Sequence, residues 1–264
     1  MREAEGVTME THSIPEREQR GLKRLNLAAA ALHAAQAVAV VALASDFSLP
    51  VTGTYLEGPP GTPPQDPVVV FDIATGLAVA AFLALSAAAH VLVSTVWWRG
   101  YLTDLSRRRN AARWVEYSLS ASLMIVLIAQ LVGISDIAAL VALFGVNAAM
   151  ILFGWLQEKY EEPRSHGWLP FIFGCIAGIV PWLAIAIYLV SPGSTSSAEP
   201  PGFVYAIFVS LFVFFNVFAL NQWLQYRGRG RWADYLYGEK AYIVLSLTVK
   251  SALAWQIFGG TLAD

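Results

Sequence analysis

Seven blocks of about twenty apolar residues make up most of this 264-residue chain, and they restrict its fold more than any other feature. A helix rises about 1.5 Å per residue, so about twenty residues cross the ~30 Å hydrocarbon core of a bilayer. Lipid offers the backbone no hydrogen-bond partner, so segments of this length must be helices that satisfy themselves. The blocks predict spans at 22–44, 68–96, 108–133, 136–157, 168–190, 203–226 and 236–259. Charged residues are 14% of the chain, against about 25% in soluble domains. The expected fold class is an all-α membrane protein, a seven-helix transmembrane bundle in the lipid bilayer.

Residues 1–21 are polar and predict a tail with a short surface helix near PEREQR. The first apolar run starts too late, and is too long, for a signal peptide. Residues 45–67, SDFSLPVTGTYLEGPPGTPPQDP, separate the first two spans. Their proline clusters forbid helix, while SLPVTGTYL has strand-like residues and a glycine turn. They predict a folded loop with a short β-hairpin. The single Cys175 excludes an internal disulfide and a cysteine metal cluster, and no metal site is expected. A net charge of −2 implies no bulk attraction to nucleic acid.

Orientation follows from lysine and arginine. Sixteen of the 17 basic residues fall in the tail, in the even-numbered connections or beside them, and only Lys250 does not. The positive-inside rule puts that side, and the N-terminus, in the cytoplasm and the C-terminus outside. The loop RRRNAAR (107–113) is expected to set topology and touch anionic lipid, at about 1 kcal/mol per residue. His12 and His166 stand alone in polar segments and read as solvated.

Lys250 lies near the middle of the apolar run YIVLSLTVKSALAWQIFGG. A lysine at that depth costs about 2.5–3.5 kcal/mol on insertion scales, and it is the side chain that forms Schiff bases. Counted at about 1.5 Å per residue, Lys250 sits roughly 18 Å from the inner end of its span, His33 roughly 15 Å and Glu116 roughly 12 Å. His90 and Asn147 fall at similar depth. Singly, each histidine reads as an interior group and Asn147 as a bond across helices. Their alignment in depth favours function. Arg113, Glu116, Ser120 and Met124 share one helix face; so do Tyr242, Ser246 and Lys250, and so do Ser86 and His90. A positive nitrogen on Lys250 needs an anion, and Glu116 is the only carboxylate expected in the core of any span. Ser120 and Ser246 are placed to hydrogen-bond that pair.

Seven spans with a lysine in the last resemble the microbial rhodopsins, which attach retinal to that lysine. Arg113-x-x-Glu116 is similar to their third-helix arginine and counterion. RWVEYSLSAS in span three, FALNQWLQY in span six and SLTVKSALAW in span seven look specifically like heliorhodopsins, as does the inverted topology. The resemblance covers nearly all of residues 22–260. It implies a rhodopsin-type bundle with all-trans retinal on Lys250 and Glu116 as counterion. His33, His90 and Ser86 would line a water-filled inner cavity, near Arg113, with the hydroxyls of Ser120 and Ser246 close by. Asn147, Tyr117, Phe215 and Gln222 would lie around the chromophore or its cavity, and Trp182, Phe218 and Trp255 would be aromatic walls. It also implies a homodimer, with the first outer loop folded as a small sheet.

Many ion-pumping rhodopsins carry an acid one turn before the lysine, where this chain has Ser246. The outer half is apolar, with Gln130 and Gln256 as its main polar groups, and a pump needs a relay on both sides. The expected function is therefore a light sensor that does not pump ions and is not an enzyme. Light would isomerise the retinal, and the Schiff base would lose its proton to the inner cavity and regain it slowly. The His33–His90 region, or Glu116 itself, would accept that proton, and a cytoplasmic signalling partner would read the long-lived state. The alternatives are a light-gated proton channel or transporter, and a retinal-free membrane enzyme or carrier using Lys250 as a buried amine. No H-E-x-x-H, G-x-S-x-G or phosphate-loop motif supports the last of these.

Overall fold

A computed structural model describes residues 13–63, 65–165, 167–191 and 199–263. His12 and His166 lie outside the described residues. The helices are α1 (Glu16–Leu43), α2 (Thr75–Ser94), α3 (Trp98–Ser106), α4 (Ala111–Leu131), α5 (Ile137–Tyr160), α6 (Leu169–Val190), α7 (Gly202–Arg227) and α8 (Tyr235–Ile257). All but α3 are long and apolar enough to span a membrane. Large apolar side chains such as Ile176, Leu183 and Val209 cover the outside of the bundle, which suits lipid and would be a liability in water.

Two boundaries differ from the sequence reading. Helix α1 begins at Glu16, so PEREQR forms the first turns of the first span and not a separate surface helix. Glu16 and Glu18 in that first turn favour the positive end of the helix dipole, and Arg20 pairs with Glu16 at 3.1 Å. The second span starts at Thr75, not at residue 68, because Val68–Ala74 is strand β2. Its β-branched VVV run fits an extended pleat as well as it fits an apolar span. Strand β1 (Ser48–Gly53) pairs antiparallel with β2, from Ser48 opposite Ala74 to Gly53 opposite Val68, with a bulge after Val51. The hairpin exists, but its second strand comes from residues read as the start of the second span and not from SLPVTGTYL. Thr52 fixes it to the α4–α5 turn, its N–H donating to the Ser135 carbonyl at 2.8 Å.

Helix α4 is central, touching α2, α5, α6 and α7, and α8 closes the ring against α1. The half of the bundle beneath the hairpin is filled by side chains such as Val40, Leu83, Ile125, Ile128, Leu253 and Ile257. Helix α8 runs on as a π-helical turn, Phe258–Leu262, whose Leu262 carbonyl accepts from Ser45 N–H at 3.1 Å. Pro181 lies inside α6, one residue before Trp182. The basic connections, including α3 and the α3–α4 turn, lie together at the opposite end.

Candidate functional site

Lys250 is 3% exposed, and its position on α8 aims the amine at α2 and α4. Its Nζ donates to Glu116 Oε1 at 2.7 Å and to Ser86 Oγ at 2.5 Å. Ser86 Oγ in turn can donate to Glu116 Oε1 at 2.6 Å or to the Phe82 carbonyl at 3.1 Å. Nζ also lies 5.0 Å from the Tyr117 ring centroid. Two charges held this far from water persist only when paired and hydrogen-bonded, and these are both.

The amine opens onto a cavity of about 190 Å³. Ser246, Tyr117, Met124, Trp182, Phe215, Phe218 and Gln222 line it. Trp182 meets Phe208, Phe212 and Phe215 edge-on, with centroids 5.4–5.8 Å away. Phe218 meets Tyr117 at 5.5 Å. Gln222 donates to the Gly154 carbonyl at 2.9 Å, and Tyr117 to the Tyr242 carbonyl at 2.9 Å. Gly154 is glycine for a spatial reason: a Cβ there would stand 2.6 Å from the Trp114 ring.

Two expected residues stand elsewhere. Trp255 is 42% exposed and donates to Gln36 Oε1 at 3.0 Å, so it is not a cavity wall. Asn147 lies behind α4, where its amide donates to Ser122 Oγ at 3.0 Å; it makes the cross-helix bond that its residue type allows. Ser120 lies near Glu116, but neither it nor Ser246 makes a hydrogen bond within 3.5 Å among the described residues.

His33 and His90 stack with centroids 5.9 Å apart and planes 12° from parallel. His90 Nδ1 meets Asn26 Oδ1 at 2.7 Å, while neither ring nitrogen of His33 has a partner among the described residues. A small cavity of about 30 Å³, room for one or two waters, is bounded by His90, Asn26, Glu116, Tyr101, Arg113 and Glu239.

Arg113 does not reach Glu116. It pairs with Glu158 at 2.7 Å and with Glu239, both on other helices. Glu116 is thus not the sole buried carboxylate, since Glu239 is 1% exposed and Glu158 is 5% exposed. Asn110 and Tyr101 also donate to Glu239, and Trp114 Nε1 and Tyr235 Oη donate to Glu158 at 2.6 and 2.9 Å. Burial pushes the Tyr101 hydroxyl, on α3, well above its ordinary range, so it stays a donor. The sequence reading missed this cluster. Glu239, three residues inside its expected span, was the available signal.

An apolar, aromatic cavity with one amine, one matching anion and an unpartnered Ser246 hydroxyl suits an apolar aldehyde carrying a positive nitrogen once bound. The lysine ammonium here holds the place and charge of that nitrogen. Two crystal structures share the fold. One is the transmembrane domain of Salpingoeca rosetta rhodopsin phosphodiesterase, at 13% identity over 96% of this chain and 90% of that chain, with TM-score 0.63. The other holds its transmembrane domain and linker region, at 14% identity over 96% and 85%, with TM-score 0.64. No curated protein matches the chain. Residues 22–262 match the family model described as Heliorhodopsin. The chain belongs to the heliorhodopsin family, light-sensing integral membrane proteins whose membership implies a retinal chromophore.

Proposed function

We propose that this protein is a photoreceptor that carries all-trans retinal as a Schiff base on Lys250, with Glu116 as counterion, and that it signals without pumping ions. The observation that carries this reading is the buried Lys250–Glu116–Ser86 group opening onto an aromatic cavity. Retinal supplies visible absorption and a bond that light isomerises. The chain's residues do the rest. Glu116 holds the positive nitrogen, and Trp182, Phe215 and Phe218 exclude water and confine the ligand's shape.

The proton on the Lys250 nitrogen has two oxygens in reach, Glu116 Oε1 and Ser86 Oγ. The small cavity joins Glu116 to His90, with His33 stacked behind. In this reading the proton leaves toward that side, is held at the His33–His90 region or on Glu116 itself, and returns slowly. The packed apolar half beneath the hairpin offers no comparable route, which supports sensing over pumping. The clustering of basic residues at the opposite end supports an N-terminus in the cytoplasm and a C-terminus outside. We place the signalling partner on that basic face, and we read the protein as a homodimer.

Purification with all-trans retinal tests the assignment. Wild type is expected to show a bound visible band, and Lys250→Ala none. An uncoloured wild type, or bound colour that survives Lys250→Ala, overturns it. Photocurrents in voltage-clamped cells would replace the sensor with a light-gated proton channel or transporter.

A further inference from the structure

A second cavity lies at the basic end, away from Lys250. It has a volume of about 280 Å³ and is bounded by the α3–α4 turn, the α5–α6 connection and the segment joining α7 to α8. Arg108 and Arg164 both line it, and among the described residues no carboxylate does. Neither arginine makes an ion pair among the described residues. The other polar side chains of its wall are already engaged. Tyr226 Oη donates to the Gln157 carbonyl, Tyr235 Oη to Glu158, and Trp232 Nε1 to Asn221 Oδ1. The two guanidinium groups are left with donor capacity to spare.

The backbone is arranged for them at some cost. Arg108 has φ 56° and Arg164 φ 70°, and Ser191 is the only other described non-glycine residue with positive φ. Arg108 follows the end of α3, a position where glycine or asparagine is the easy choice. A side-chain-bearing residue in the left-handed region costs about 1–2 kcal/mol, so arginine there needs a compensating use. Arg164 is held by its own N–H, which donates to the Tyr226 carbonyl at the end of α7 at 2.7 Å. Gly228 leaves the space its guanidinium needs, since a Cβ there would lie 2.8 Å from Arg164 Nε.

We propose that this pocket binds a phosphate-bearing anion through Arg108 and Arg164. Planar forks of N–H donors match phosphate oxygens two at a time, and two uncompensated positive charges match the charge of a phosphate group. The rings of Tyr226, Trp232 and Tyr235 give the rest of the ligand an apolar side. The anion is either the headgroup of a phospholipid at the membrane surface or a free phosphate compound from the aqueous side. Arginines that merely set topology would have no need of a shared, acid-free pocket.

Isothermal titration of retinal-loaded protein with inorganic phosphate is one arm of the test. Phosphorus analysis of lipid retained after extensive detergent washing is the other. Saturable 1:1 phosphate binding, weakened about tenfold or more in R108Q/R164Q, assigns a free anion. One retained lipid phosphorus per chain in wild type, lost in R108Q/R164Q, assigns a lipid headgroup. Arg231→Gln, a basic change outside the pocket, leaves both readouts unchanged, and retained visible colour shows that each variant is folded. If the double variant loses its colour, Arg164→Lys replaces it: the charge remains, the fork is gone, and binding falls several-fold. The proposal is overturned if wild type and the colour-retaining variant bind phosphate equally and retain equal lipid phosphorus.

Discussion

Arg113 and Glu116 stand one turn apart on α4, yet they belong to separate ion pairs. Arg113 turns to Glu158 and Glu239, and Glu116 turns to Lys250. The bundle therefore holds two buried charge centres, one beside the ligand cavity and one at the basic end. Their mutational signatures differ.

Glu116→Gln leaves the positive nitrogen of the pigment without its anion. That anion stabilises the ground state, in which the charge sits near it, more than the excited state, in which the charge has moved along the conjugated chain. The absorption band is expected to move to longer wavelength. Breaking a buried pair typically costs about 3–5 kcal/mol, so the pigment also bleaches at lower temperature. A visible spectrum with a thermal ramp checks both, and an unmoved band would remove Glu116 from the counterion role.

Arg113→Gln removes the cation shared by two buried carboxylates. A loss of about 3–5 kcal/mol is expected, read as a lower bleaching temperature, while the absorption band stays close to wild type. Glu158→Gln is milder, because Glu239 remains on Arg113. A large spectral shift in Arg113→Gln would mean that the two centres are coupled.

The first centre was legible in the sequence and the second was not. A lysine in the middle of an apolar run and a glutamate a few turns inside another stand out, because lipid makes each costly alone. Glu158 and Glu239 lie near span ends, where charges usually meet water, and only tertiary packing buries them. The same limit hid β2, since VVVFDI is apolar enough to read as helix until the pairing with β1 is seen. The seven spans were set by length and hydropathy, so most of their ends agree closely. Trp255 shows the remaining gap. It lies five residues beyond Lys250, which turns it roughly 140° round the helix from the amine, and its indole points to Gln36 on α1.

Gly154→Ala tests the shape of the cavity. The added methyl would stand 2.6 Å from the Trp114 ring, which is held by its bond to Glu158 and by edge contact with Tyr242. The ring has to shift against both restraints, at about 1–3 kcal/mol for overpacking. Lower retinal occupancy or a displaced absorption band is expected, and an unchanged pigment would show that the Trp114 side of the cavity yields.

Asp104 on α3 gives a pH signature. Burial raises its carboxyl above the usual range, against the opposing pull of Arg107 and Arg109. A group raised in this way contributes its stability below the unfolded value and loses it as pH rises through the folded value. Asp104→Asn should therefore stabilise the protein slightly at neutral pH and not at about pH 3, where both states are protonated. Bleaching temperatures compared across that range give the sign directly.

Proline at position 181 cannot donate to the carbonyl four residues back, so α6 lacks one rung just where Trp182 enters the cavity. A change of ligand shape pressing on that indole meets the softest point of its helix. If the proposed photoreceptor reading holds, the stretch from Leu169 to that point is the part free to tilt as a lever, toward the surface where the arginine-rich connections lie.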